Sequence, residues 1–318
     1  MEKHPFGSIR YNAIGPWLKR RFGERAVKLS LSGGFSCPNR DGTKGTGGCS
    51  FCLGGSGEFA SAAGPESVAQ AMDAQAALLS RKWPDAKYIA YFQSYTETYA
   101  PAERLRELWE SALARPDVAG LAVATRPDCL GIEAESSDIL DLLSEMNGRT
   151  FLWVELGLQT ARQESADAFN RCFDNSEFEA ACRALSARGI RFVVHLILGL
   201  PGESREDMLA SARYAASFRP FGIKLHMLHL MRGTPMGEAW LREPFPLLSL
   251  DEYVGTVCDI LEELPRDITV HRLTGDAPKD ALIAPDWTGD KHAVLNAVQK
   301  ELKRRGSFQG CRAGGGQT

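Results

Sequence analysis

Between residues 27 and 230 the chain alternates short apolar runs with stretches of helical period, six times over. The runs are VKLSLSGGF (27–35), YIAYFQSYT (88–96), GLAVATRPD (120–128), FLWVELGLQT (151–160), IRFVVHLILGLP (190–201) and GIKLHMLHL (222–230). Each is a short apolar run ending near Gly, Pro, Thr or Asp, as strands buried on both faces do. Between them lie helical stretches at 65–83 and 101–115, each opened by a proline, then 134–147, 162–188 (read as two helices) and 204–218, capped by Ser204. Strand and helix in strict alternation build right-handed crossovers around a parallel sheet. The fold class expected is therefore α/β, a partial (βα)6 TIM-like barrel over 27–235. Beyond it the rhythm changes to a Pro-rich turn (EPFPLLS), a helix at 249–264, a strand at 268–275 and a helix at 289–305, an α+β extension over 236–305. Residues 1–26 form a basic N-terminal segment, and the Gly-rich stretch 306–318 is expected to be a disordered tail.

Polar residues inside such strands are informative, because a buried polar group needs a partner. Alternation puts Trp153, Glu155 and Gln159 on one face of the fourth strand, and Lys224 and His226 on one face of the sixth. Glu155, Gln159, His195 and Lys224 are expected to line a polar lumen that holds a ligand. The plainer alternative is an internal salt bridge of Glu155 with Lys224. Ligands in parallel α/β folds bind at the C-terminal strand ends, where TRPD, GLQT and GLPGE fall. His226 and His229 stand three apart on a strand, hence on opposite faces, and are not expected to share a metal.

No apolar run approaches the length of a membrane span, and the opening MEKHPFGSIRYN has no apolar core, which predicts a cytoplasmic protein. Reducing conditions make metal binding or catalysis the better reading of clustered cysteines. Five of the eight cysteines (Cys129, Cys172, Cys182, Cys258, Cys311) are scattered and are read as packing or surface thiols. The other three, Cys37, Cys49 and Cys52, share one loop after the first strand with no His or Cys nearby to complete a four-ligand zinc site. Iron-sulfur clusters normally take four cysteines, so three leave one iron open to an outside ligand.

Cys49-Ser-Phe-Cys52, on the loop after the first strand of a six-unit barrel, resembles the radical S-adenosylmethionine (SAM) superfamily; the long gap back to Cys37 resembles its elongator catalytic subunit branch. The segments KLSLSGGFSCPNRDG, YIAYFQSYTETYAP, ATRPDCL, WVELGLQT, LILGLPGE, GIKLHMLHLMRGTPM and HRLTGDAP together resemble the YhcC-type radical SAM family. The chain departs from that pattern at Ser32, at Glu97-Thr98 and at Asn170-Arg171-Cys172-Phe173. The resemblance implies a radical SAM barrel with a [4Fe-4S] cluster on Cys37, Cys49 and Cys52, whose open iron takes the amine and carboxylate of SAM. Reductive cleavage then gives a 5'-deoxyadenosyl radical. The same resemblance implies Phe51 on the adenine side, Gln93, Tyr95 and Thr96 near the SAM amine, Glu155 at ribose or methionine, Gly199 and Gly202 where backbone approaches adenine, and Arg126 as carboxylate partner. The plainer alternative for Arg126 is a strand-end salt bridge with Asp128. A flavodoxin or ferredoxin-type electron donor is implied as well.

For the substrate, the elongator likeness points to tRNA and a remodelled wobble-uridine C5 side chain. A small metabolite is the alternative, as in the related oxygen-independent coproporphyrinogen oxidases, and a non-catalytic cluster protein is a third. The net charge of -3 argues against a strongly basic nucleic-acid binder, but two basic clusters could meet phosphates. One holds Arg10, Lys19, Arg20, Arg21, Arg25 and Lys28; the other holds Lys291, Lys300, Lys303, Arg304, Arg305 and Arg312.

Overall fold

The structure is a computed structural model that describes residues 5–53, 65–132 and 137–313. Six strands fall where the apolar runs place them: β1 (Ala26–Leu31), β2 (Lys87–Phe92), β3 (Val118–Thr125), β4 (Phe151–Gln159), β5 (Arg191–Leu198) and β6 (Gly222–Met227). Each pairs in parallel with the next, as crossover connections require. The crossovers carry α2 (Pro65–Ser80), α3 (Ala102–Leu113), α4 (Asp138–Arg149), the pair α5 (Gln163–Ala168) and α6 (Asn175–Ala187), and α7 (Arg205–Ser217). The expected start of α4 at 134 lies outside the described residues; its first described residue, Ser137, caps the helix by accepting the Leu140 N–H.

The sheet gains a seventh strand from the C-terminal extension. After the short β7 (Leu230–Met231), α8 (Pro235–Arg242) and α9 (Leu250–Glu263), the strand β8 (Thr269–Arg272) joins β6 in parallel. The extension is completed by β9 (Leu282–Ala284), paired with β7, and α10 (Lys291–Arg304).

The sheet curls into a half-barrel, and side-chain contacts show it. A flat sheet would hold β1 and β6 about 24 Å apart, yet Lys28 of β1 and Lys224 of β6 both reach Glu155 of β4. The outer face buries the main core against the helices, with Leu29, Phe92, Leu121, Leu152, Val194 and Leu225 fully enclosed. On the inner face a second apolar group, including Ile89, Phe151, Trp153 and Val193, is closed off at the N-terminal strand ends by α1 (Ile14–Phe22). Trp17 of α1 packs against the rings of Phe151 and Phe221, and Ala13 forms a parallel bridge to Val270 of β8. The barrel is therefore plugged at one end and presents its ligand-binding end at the other.

The stretch expected to be a disordered tail is ordered over residues 306–313. Gln309 is fully buried. Its Oε1 accepts the Asn12 N–H at 2.8 Å, and its Nε2 donates to the carbonyls of Pro265 and Ile268. Glycine-rich composition suggests disorder, but one glutamine with this set of partners pins the segment against the N-terminal strap. Residues 314–318 lie outside the described residues.

Candidate active site

Cys37, Cys49 and Cys52 lie on the loop that leaves the C-terminal end of β1. Two turns shape it: Arg40 N–H donates to the Cys37 carbonyl and Cys52 N–H to the Cys49 carbonyl. Burial pushes the Cys49 thiol up to about 12, with Arg126 pulling it down and Cys52 and Cys37 pushing it further up. Cys37 and Cys52 thus lie close enough to act on Cys49. Among the described residues no group of three or more His, Cys, Asp or Glu side chains is placed to hold a metal ion.

A second loop, 169–173, clasps the first. Ser50 N–H donates to the Phe169 carbonyl at 2.9 Å. The Asn39 amide donates to the Asn170 carbonyl, and the Asn170 amide donates to the Gly48 carbonyl at 3.0 Å. Two non-glycine residues of this loop, Asn170 and Cys172, are left-handed at φ 62° and 58°. Strain of this kind persists only where surroundings over-determine the backbone. Here they do: Arg171, 1% exposed, donates to the carbonyls of Leu158, Thr160 and Phe173 and to the side chains of Gln163 and Asn175. From above, Met236 at the start of α8 donates its N–H to the Ser50 carbonyl.

Arg126 belongs to this framework. Its Nε and Nη2 bind both oxygens of Asp128 at 2.9 and 2.8 Å, and Nη1 donates to the Arg171 carbonyl at 2.9 Å. Its guanidinium lies 5.0 Å from the Phe173 ring centre. Burial opposes its charge, but Asp128 raises its pKa above the ordinary arginine value. The strand-end salt bridge is therefore what the geometry contains. A planar fork engaged with one carboxylate in this way is not free for a second in the same bidentate way.

Glu155 is likewise engaged within the protein. It sits mid-strand, well below the rim, and its carboxylate accepts from Lys28 at 2.8 Å, Tyr91 at 2.6 Å, Trp153 at 3.0 Å and His195 at 2.9 Å, as well as from Lys224. Burial works against its charge, yet Lys224 and Lys28 hold its carboxyl well below the usual range. Five internal donors thus converge on this one carboxylate. Gln159 leaves the lumen altogether. A register shift between Gly157 and Gln159 and a left-handed φ of 64° turn it back on its own strand; its amide there donates to the carbonyls of Gly157 and Leu158. His195 and His226 do face the lumen, ring centres 5.4 Å apart, while His229 packs under Gly275. The two histidines of the HMLH run do not meet.

The rim after β2 carries two of the buried polar atoms left without a partner among the described residues. Tyr95 is left-handed at φ 54°, and Arg40 lies 5.3 Å from its ring centre. Beside it the buried Thr96 Oγ1 and Glu97 Oε1 have no hydrogen-bond partner among the described residues. The other Glu97 oxygen accepts the Gly33 N–H at 2.8 Å. Burial pushes the Glu97 carboxyl up to about 8, against the pull of Gly33, Ser32 and Ser94. Ser32 and Glu97, two positions at which the chain departs from the family pattern, thus meet. Gln93 follows β2 and donates its N–H to the Leu31 carbonyl. Phe51 packs edge-on against Phe169 at 5.2 Å. Gly199 and Gly202 are left-handed at φ 89° and 76°; Leu248 fills the side of Gly199 where a Cβ would stand, at 3.1 Å.

Asn39, Glu97, Asn170 and Arg171 border the cysteine loop and the rim at positions not expected from the sequence. The signals were present: Asn39 lies two residues past Cys37, and Glu97 and Asn170-Arg171 sat in segments already singled out. The basic clusters lie elsewhere. Arg305 pairs with Asp259, Glu262 and Glu301, and Arg304 with Glu301. Arg20 and Arg21 stand on α1 at the plugged end.

A model of the radical SAM superfamily matches residues 40–215, and one of the Radical_SAM C-terminal domain matches 220–304. Bacillus subtilis YtqA is 45% identical over 98% of this chain and 96% of its own, and Escherichia coli YhcC is 36% identical over 93% of each. A tRNA uridine(34) acetyltransferase of Dehalococcoides mccartyi is 29% identical over 61% of this chain and 40% of its own. Among solved structures, Methanocaldococcus infernus Elp3 lacking its N-terminus superposes with a TM-score of 0.66 at 16% identity, covering 89% of this chain and 64% of that one. That likeness concerns the fold. Among the described residues no helix is long and apolar enough to cross a membrane.

Proposed function

The chain belongs to the radical SAM superfamily and is an enzyme of that class, and from that premise we propose that Cys37, Cys49 and Cys52 hold a [4Fe-4S] cluster. The observation that carries this is the clasped loop: three thiols on the ligand-binding end of a half-barrel, their backbone fixed by the 169–173 loop and by α8. The bound cluster and SAM together supply reductive cleavage to a 5'-deoxyadenosyl radical, with the electron from a flavodoxin or ferredoxin-type donor.

The chain's own residues prepare the place for SAM. A buried carboxylate without a cation costs several kcal/mol, and among the described residues one Glu97 oxygen and the neighbouring Thr96 hydroxyl have no hydrogen-bond partner. Both suit the ammonium of the cofactor's methionine part. Gln93 and Tyr95 flank them on the same turn, and Phe51, Gly199 and Gly202 are kept as the adenine side. The apolar group of Phe51, Phe169, Leu228 and Met236 excludes water around Cys49.

We propose a tRNA wobble-uridine side chain as substrate. Its support is the relative named for uridine 34 of tRNA; the basic clusters add little, because Arg304 and Arg305 are paired with acids and Arg20 and Arg21 lie at the plugged end. A small metabolite is the second reading, favoured by the lumen, where Lys28 and His195 keep 25% and 20% of their side chains exposed. The test is the 5'-deoxyadenosine yield of anaerobically reconstituted, reduced protein with SAM, with and without unmodified tRNA. A rise with tRNA supports RNA. A yield indifferent to tRNA rejects it and favours the metabolite.

A further inference from the structure

Asn39 is completely buried in the cysteine loop. One N–H of its amide goes to the Asn170 carbonyl, and the amide nitrogen lies 3.6 Å from Cys49 Sγ. Its Oδ1 faces the Asn170 amide at 3.5 Å, and its own carbonyl accepts the Gly48 N–H at 2.8 Å. The amide cannot turn over, since that would set its oxygen against the Asn170 carbonyl and the Cys49 sulfur, both acceptors. Gly45 closes the remaining side: a Cβ there would stand 2.3 Å from Asn39 Oδ1. The other groups around Cys49 are largely apolar, including Phe51, Phe169 and Leu228. An N–H aimed at that sulfur in a water-poor setting is therefore worth more than it would be in solvent.

Resting on the cluster assignment above, we propose that Asn39 is a positioning residue for the iron-sulfur cluster: its amide donates to the Cys49 sulfur and raises the cluster's reduction potential. Hydrogen bonds to cluster sulfurs and exclusion of solvent are two of the means by which a protein sets that potential. A donor at a ligating sulfur stabilises the extra negative charge of the reduced state more than it stabilises the oxidised one. The clasp through Asn170 gives the interaction its geometry, because the same amide that meets sulfur is anchored on the second loop.

The experiment uses full-length protein labelled with nitrogen-15 asparagine, reconstituted anaerobically and reduced, with pulsed EPR as the readout. The expected result is a nitrogen-15 coupling to the cluster spin that disappears in Asn39→Leu. The midpoint potential should move to a more negative value in Asn39→Leu, which removes the donor, and further in Asn39→Asp, which adds a negative charge. A merely structural role would not produce that order. Absence of the coupling in the labelled wild type overturns the proposal, even if neither variant keeps its iron. Unchanged potentials in variants that do keep the cluster overturn it as well. Wild-type protein that takes up no cluster would instead sink the reading on which the proposal rests, and the proposal with it.

Discussion

Lys28 on β1 and Lys224 on β6 donate to the two oxygens of one carboxylate, Glu155, in the middle of β4. The contact spans nearly the whole sheet and closes the half-barrel around a single ion cluster. Glu155→Gln keeps the shape and leaves Lys28 and Lys224 without their counter-charge. Removing one partner of a buried pair costs about 3–5 kcal/mol, and the denaturant midpoint should fall accordingly. Lys28→Met, at a side chain that is 25% exposed, should cost only about 1 kcal/mol.

The lumen histidines make the fold sensitive to mild acid. Burial, and then Lys224, hold His195 down to about 4; burial holds His226 and His271 well below the ordinary imidazole value. These groups are neutral when folded, so the unfolded chain takes up protons first. Stability should therefore fall as pH drops from 6.5 toward 4, by at most about 1.4 kcal/mol per pH unit for each histidine. Urea midpoints between about pH 7.5 and about pH 5 should show a shallower slope in His195→Asn than in wild type.

Glu97 should couple cofactor binding to a proton. Its carboxyl, raised by burial to about 8, carries a proton through much of the neutral range. A bound ammonium favours the ionised form, so SAM binding should release a proton and tighten as pH rises toward 8. Calorimetry in buffers of different ionisation enthalpy measures that release. Glu97→Gln should abolish it and weaken binding about tenfold, or about 1.4 kcal/mol.

The arginines near the C-terminus should be structural. Arg305 holds Asp259, Glu262 and Glu301 together. The double change Arg304→Gln with Arg305→Gln should lower the unfolding midpoint and leave the salt dependence of any tRNA binding unchanged. A flattened salt slope would return these residues to the RNA surface.

The strands and helices of the barrel were legible because their periodicities repeat over many residues. The seventh strand was harder to place, since Thr269–Arg272 is short and follows a helix outside the strict alternation. The site was legible where spacing carries chemistry, in the three cysteines, and less so where partners come from distant segments. Alternation assigned Glu155 to the lumen but could not show that five strands' worth of side chains would converge on it. Likewise ATRPD reads equally as a ligand fork or a local ion pair, and only coordinates show Arg126 committed to Asp128. The bulge at Gln159 has no signature beyond Gly157 two residues earlier. Gln309 lies in a segment whose composition argues for disorder and whose hydrogen bonds decide otherwise.

The central claim is that this loop of three cysteines supports reductive cleavage of SAM. Its most direct test is 5'-deoxyadenosine formation by anaerobically reconstituted protein with SAM and a low-potential reductant, beside Cys49→Ala treated identically. The account predicts product from the wild type and none from the variant. No product from wild-type protein shown to hold a [4Fe-4S] cluster, or equal product from both, would contradict it.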